Sequence, residues 1–121
     1  MTGAAAPERP PVRPLVRLDA GLQVHLPTFP NTTVPQLVDL GRAAQAAGIG
    51  QVWVTDNLQS RNAFVVLTAL ALALKLKLGT GIMVQYFRSP IDVADSVAAL
   101  SELMDGRELS IGIASGLVMF T

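Results

Sequence analysis

Cysteine is absent from these 121 residues, and histidine, tryptophan and tyrosine occur once each. Without cysteine there can be no disulfide, no thiolate metal site and no cysteine nucleophile. A single histidine among scattered carboxylates makes no ligand cluster, so no metal site is expected. Charge is scarce as well: 15% of residues, balanced at nine basic against nine acidic. No basic stripe invites nucleic acid and no acidic tail is present. The longest apolar stretch, Ala63 to Leu74, is interrupted only by Thr68 and is followed at once by Lys75 and Lys77. A bilayer span needs about 20 apolar residues, so this stretch reads as a buried helix and no membrane partner is expected. The N-terminus has no apolar core of a secretory signal, and a cytoplasmic location is the expectation.

What is abundant is core material: half of the residues are hydrophobic, which suits one folded domain. Residues 1–18 hold Pro7, Pro10, Pro11 and Pro14 together with Arg9, Arg13 and Arg17. They read as a flexible lead-in, with a proline-motif ligand as the sharper alternative. Residues 19–121 form the domain.

Within it, short apolar runs alternate with helical patterns. The first run, Leu22 to Leu26, leads into a loop of proline, asparagine and threonine over 27–33. Pro35 suits the first turn of a helix, whose apolar face is Leu37, Leu40, Gly41, Ala44 and Ala47, with Gly48 as terminator. The second run, Gln51 to Thr55, ends on Asp56-Asn57. Between Leu70 and Leu78 the leucines alternate with period two although Leu and Ala favour helix; a split near Lys75 places helix before and strand after. The third run, Leu76 to Val84, contains Gly79-Thr80-Gly81. This is not a dinucleotide fingerprint, because the full glycine spacing and an immediately following helix are missing. Ser89-Pro90 opens a helix with Ser89 as N-cap and Asp92 able to reach back. Its buried stripe is Val93, Val97, Leu100 and Met104, and Asp105-Gly106-Arg107 ends it. The fourth run, Leu109 to Ile113, enters Ala114-Ser115-Gly116.

Four strands and three helices, one unit every 25–33 residues, predict an α/β fold of parallel β/α units with strands centred near Val24, Trp53, Leu78 and Ile111. Right-handed crossovers bring every C-terminal strand end to one face, where ligands bind in such folds. The segments Leu26–Pro27, Asp56-Asn57, Gly81–Val84 and Ser115-Gly116 are therefore expected to converge.

Three stretches carry a resemblance when taken in order and at this spacing: QLVDLGRAAQAAGIGQVWVTDN, LKLGTGIMVQYFRSP and SELMDGRELSIGIASG. Over about residues 21–116 the chain resembles the first half of luciferase-like oxidoreductases, nearest the coenzyme F420-dependent, methylenetetrahydromethanopterin reductase-like branch. The resemblance implies the N-terminal half of a TIM (β/α)8 barrel, with a deazaflavin (F420) over the C-terminal strand ends and FMN as the alternative. It implies hydride transfer with a small-molecule substrate. Asp56 corresponds to a cofactor anchor, and Asn57 stands where relatives often carry a proton-donating histidine. Asparagine donates a hydrogen bond but supplies no proton near neutral pH. The resemblance further implies a non-prolyl cis peptide at Gly81–Ile82, forming a bulge behind the cofactor's central ring, with Thr80 beside it. It places Ser115 and Gly116 near the cofactor. Leu117 stands where sugar-oxidising relatives carry an acidic base, which argues against alcohol oxidation. Read without the resemblance, Asp56-Asn57 is an Asx cap and Gly81 a strand-end turn.

Other residues keep plainer readings. His25 lines the pocket or is structural, Trp53 is barrel packing, and Arg88 either meets a phosphate at a helix N-terminus or is a solvated loop residue. A full barrel needs roughly 200–250 residues, so three situations stay open: a piece of a longer chain, one half of a two-chain barrel, or a half-barrel that forms homo-oligomers. An unclosed sheet is expected to expose Val52, Val54, Leu76 and Ile111. The alternative to an oxidoreductase is a non-catalytic half-barrel or assembly subunit that pairs with a companion chain.

Overall fold

The computed structural model describes residues 23–26, 31–56 and 61–115, with the backbone alone for 23–26. Its elements run in strict alternation: β1 (Gln23–Leu26), α1 (Val34–Ala46), β2 (Gln51–Asp56), α2 (Ala63–Ala73), β3 (Lys77–Val84), a 3-10 turn (Gln85–Phe87), α3 (Pro90–Leu103) and β4 (Leu109–Ala114). The strands make one sheet in the order β1-β2-β3-β4, every neighbouring pair parallel. All four predicted strand centres lie inside these strands, and the split near Lys75 falls in the gap between α2 and β3.

Local chemistry explains the helix ends. Thr33, not the proline step alone, starts α1. Its hydroxyl accepts from the Gln36 amide at 3.3 Å while the Gln36 side chain accepts from the Thr33 amide at 2.9 Å, a reciprocal capping box. Asn62 caps α2 by accepting from the amides of Phe64 and Val65. Ser89 caps α3 by accepting from the Asp92 amide at 3.0 Å, with Pro90 in the first helical position. The turn after α3 passes through Asp105 at φ 51° and Gly106 at φ 77°.

The core lies between the helices and one side of the sheet. Val52, Val54 and Leu78 are fully buried there, against Leu37 of α1 and Val66, Leu67 and Leu70 of α2. This overturns the expectation that Val52, Val54 and Leu76 lie exposed: alternation turns them towards the helix layer, which already covers them. Ile111 is partly covered, and the exposure falls instead on its neighbour Ile113, 53% exposed near the end of β4. On α1, Leu40 and Ala47 are exposed, so its core face narrows to Leu37, Gly41 and Ala44. Gly41 lies at the contact with α2, where an added Cβ would come 2.6 Å from a Leu74 methyl. Helix α2 has no charged residue and is apolar on every side but only half covered; Val65 and Leu72 are 57% and 70% exposed. Among the described residues, no helix is long and apolar enough to cross a membrane.

Candidate functional site

The C-terminal ends of the strands meet at one edge of the sheet. Along β2 and β3 the register runs Val52 to Leu78, Trp53 to Gly79 and Val54 to Thr80, then jumps to Asp56 opposite Met83. On the other side, Thr80 pairs with Ile111 and Met83 with Ile113. Strand β3 thus carries one residue more than either neighbour between these rungs, a β-bulge at Gly81–Ile82. The Gly81–Ile82 bond is cis, as the resemblance implies. The bulge sits where ligands collect in parallel β/α folds.

The side of the sheet away from the helices is fitted to the bulge. Trp53 lies over Gly79, where an added Cβ would come 2.6 Å from its ring and 2.7 Å from the Ser110 carbonyl. At Gly112 an added Cβ would come 2.6 Å from the Thr80 carbonyl oxygen. These two glycines admit an indole and a bulged backbone. By alternation, Trp53, Thr55, Gly79, Gly81, Ser110 and Gly112 share this side; they are uncharged, and the charged pair Lys77–Glu108, 3.8 Å apart, stands at the opposite, N-terminal end of the strands. Such a face suits an extended, planar, neutral ring held by contact; Trp53 itself is a packing residue.

The sequence-predicted site residues divide. Gly81 and Ile82 form the bulge and are partly exposed, and Ser115, just past β4, is exposed at the same end of the sheet. Thr80 differs from expectation. It is fully buried on the helix side and its hydroxyl donates to the Gly112 carbonyl at 3.1 Å, so its side chain ties β3 to β4. Asp56 also differs. It is 4% exposed, and both carboxylate oxygens accept from Arg88, from Nε and Nη2 at 2.9 Å each. The carboxylate therefore turns towards α2 and the β3–α3 connection, and any effect on a ligand passes through that pair. Asn57 and Gly116, and Leu117 with them, lie outside the described residues, as does the side chain of His25.

Arg88 is the residue that sequence reasoning missed. It is not a solvated loop arginine: its side chain is only 15% exposed. Its guanidinium forks onto Asp56 and lies 5.0 Å from the centre of the Phe64 ring. The hydrogen bond to Asp56 raises its pKa above the ordinary arginine value, against the lowering effect of burial, with Asp92 adding a smaller raising effect. The two residues are 32 positions apart, and nothing local marks them as partners. The only sequence signal was an arginine directly before a helix cap and an aspartate ending a strand.

Beside this pair, on the helix side, a cavity of about 440 Å³ is lined by Met83, Gln85, Arg88, Val93, Val97, Ile111 and Ile113 among others. It is mostly apolar and lies between α3 and the outer side of β3 and β4.

The chain is 32% identical over 88 residues to the 5,10-methylenetetrahydromethanopterin reductase of Methanolobus tindarius, covering 72% of this chain and 27% of that protein. It is 34% identical over 76 residues to the enzyme of the same name from Archaeoglobus fulgidus, covering 62% and 23%. Among solved structures it is similar to the coenzyme F420-dependent tetrahydromethanopterin reductase of Methanopyrus kandleri, with a TM-score of 0.73 and 28% identity over 83% of this chain and 28% of that one. A type II Baeyer-Villiger monooxygenase, the oxygenating constituent of 3,6-diketocamphane monooxygenase from Pseudomonas putida in complex with FMN, shares the fold. Its TM-score is 0.61 at 19% identity, over 82% of this chain and 31% of that one. The chain spans about a quarter of the length of the reductases it matches. Its four parallel strands and the three helices that connect them are the first half of a TIM-barrel architecture. The family described as luciferase-like monooxygenase matches residues 17–119, and the chain belongs to it.

Proposed function

We propose that this chain is the cofactor-facing first half of an oxidoreductase that uses coenzyme F420, with FMN as the alternative cofactor, on a small-molecule substrate. The observation that carries this reading is the bulge at Gly81–Ile82, set at the ligand end of a parallel sheet beside the uncharged residues Thr55 and Gly112. The similarity to F420-dependent reductases favours the deazaflavin. A bound deazaflavin would supply the hydride chemistry, and the protein would supply position and environment. The bulged backbone of Gly81 and Ile82 would support the cofactor's ring system. Asn57 would donate a hydrogen bond towards the cofactor, and Ser115 and Gly116 would allow its close approach from β4. Asparagine supplies no proton near neutral pH, so Asn57 would hold the reactants rather than relay a proton.

The companion reading concerns assembly. Ile113 is 53% exposed on the outer side of β4, above the apolar cavity between α3 and β4. Val65 and Leu72 of α2 add exposed apolar surface. Covering such side chains is worth about 1.5–3 kcal/mol each, so the 121-residue chain works as a homo-oligomer or beside further barrel units, in the cytoplasm. The test combines a fluorescence titration with F420 and with FMN, light scattering after size exclusion, and a hydride-transfer assay. F420 binding in the micromolar range or tighter, about −8 kcal/mol, with turnover only in an associated state, is the expected result. No binding of either cofactor by the associated chain leaves the assembly role alone, and a monomer that turns over refutes the need for association.

A further inference from the structure

Asp56 holds two ends of one segment. Its backbone pairs with Met83, where regular pairing resumes after the bulge. Its carboxylate takes the fork of Arg88, five positions further on. Between these points lies the 3-10 turn Gln85–Phe87, which has no side-chain cap and whose Tyr86 is 70% exposed. Segment 83–88 is thus fastened at its start by strand pairing and at its end by an ion pair.

Arg88 adds a third attachment through the face of Phe64, in the first turn of α2. A planar guanidinium on a carboxylate fixes direction as well as distance, which a lysine would not. The side chains of Arg88 and Asp56 are 15% and 5% exposed, so the pair is largely shielded from water and salt. Neither β2 nor α3 needs this contact for its own geometry: β2 is paired on both sides, and α3 is capped by Ser89. What the contact settles is the height of the β3–α3 connection relative to the end of β2, and with it the placement of the bulge.

We propose that Arg88 is a positioning residue that, through Asp56 and Phe64, sets the bulge at Gly81–Ile82 and the turn Gln85–Phe87 at the ligand end of the sheet. The consequence for ligand binding rests on the cofactor reading above.

The test uses the full chain and the variants Arg88→Met and Arg88→Lys, with Asp56→Asn as the second route if Arg88→Met does not fold. Amide hydrogen exchange is measured without cofactor, and F420 binding by its fluorescence. With Arg88→Met, exchange over residues 81–88 should rise about tenfold or more, while Leu67 and Leu70 in the core of α2 stay within about twofold. The F420 dissociation constant should weaken about tenfold. Arg88→Lys, which keeps the charge but loses the fork, should fall between the two. Unchanged exchange at 81–88, or an equal rise at Leu67 and Leu70, overturns the proposal, because the pair would then contribute only general stability. Local loosening with an unchanged F420 constant overturns its bearing on the ligand. If the unmodified chain binds no F420, the cofactor reading fails by itself, and the exchange contrast still decides whether Arg88 sets the bulge.

Discussion

Two arginines organise opposite ends of the same sheet, and they do it in different ways. Arg88, at the C-terminal strand ends, has a carboxylate for a partner. Arg107, at the N-terminal ends, binds only main-chain carbonyls: Leu74 and Met104 at 2.7 Å, Ala71 at 2.8 Å, Leu76 at 3.0 Å and Leu103 at 3.3 Å. Those carbonyls belong to the last turns of α2 and α3 and to the entry of β3. They are the acceptors that a helix leaves unpaired, and they carry the negative ends of the helix dipoles. A single guanidinium with five donors suits that cluster; an ammonium with three does not. The N-terminal end is therefore closed by one cation on fixed dipoles, which is scaffolding. The C-terminal end is closed by a pair of side chains whose geometry decides where a bulge and a turn sit.

The comparison is broken most severely at Arg107. Arg107→Met leaves several poorly solvated carbonyls without a donor, at about 1–3 kcal/mol for each that stays unsatisfied. We expect a loss of roughly 4 kcal/mol in urea unfolding, with little recovery in Arg107→Lys. The same substitution at Arg88 should cost far less in global unfolding, within about 0.5 kcal/mol, because the loosening is confined to the segment that Arg88 fastens. Equal losses at the two positions would erase the distinction between scaffold and site.

A smaller effect is expected at Gly79, between the two ends. Gly79→Ala sets a methyl 2.6 Å from the Trp53 ring and 2.7 Å from a backbone oxygen. Overpacking of this kind costs about 1–3 kcal/mol. Trp53 is the only tryptophan, so its emission should shift as the ring is displaced, while the Arg88 and Arg107 contacts persist. An unchanged spectrum would mean that the indole is held elsewhere. The smallest effect sharpens the comparison from the N-terminal end. Asp105 adopts φ 51° in the turn that delivers Arg107. Asp105→Gly relieves a left-handed conformation that costs a non-glycine residue about 1 kcal/mol, in part offset by the greater freedom of glycine when unfolded. A gain of about 0.5 kcal/mol in unfolding free energy is expected, and a loss would show that the Asp105 side chain contributes to the turn.

Both arginines were visible in the sequence, and neither role was. Arg107 read as part of a helix terminator, because its local surroundings, Asp105-Gly106, signal a turn. Its acceptors on α2 and at the entry of β3 lie 31–36 residues away. Arg88 read as a loop residue because its partner closes a different strand. The capping box of Thr33 and Gln36 was legible in principle, since the T-x-x-Q spacing is local, but Pro35 drew the attention. The exposure of Leu40 and Ala47 and the burial of Val52 and Val54 follow from where neighbouring elements lie, which no window along the chain contains.

The sequence by itself determined the alternation of strand and helix, the split near Lys75 and the parallel architecture. These depend on periodicity, caps and turn residues that act within a few positions. The resemblance of its motifs pointed to the family and to the bond between Gly81 and Ile82. Only the tertiary structure decided that Thr80 is a buried tie, that Asp56 belongs to Arg88, and which side of each strand meets the helices. Such assignments depend on which groups compete for the same partner in space. A carboxylate at a strand end can accept from a ligand or from an arginine 32 residues away, and folding places the arginine within reach.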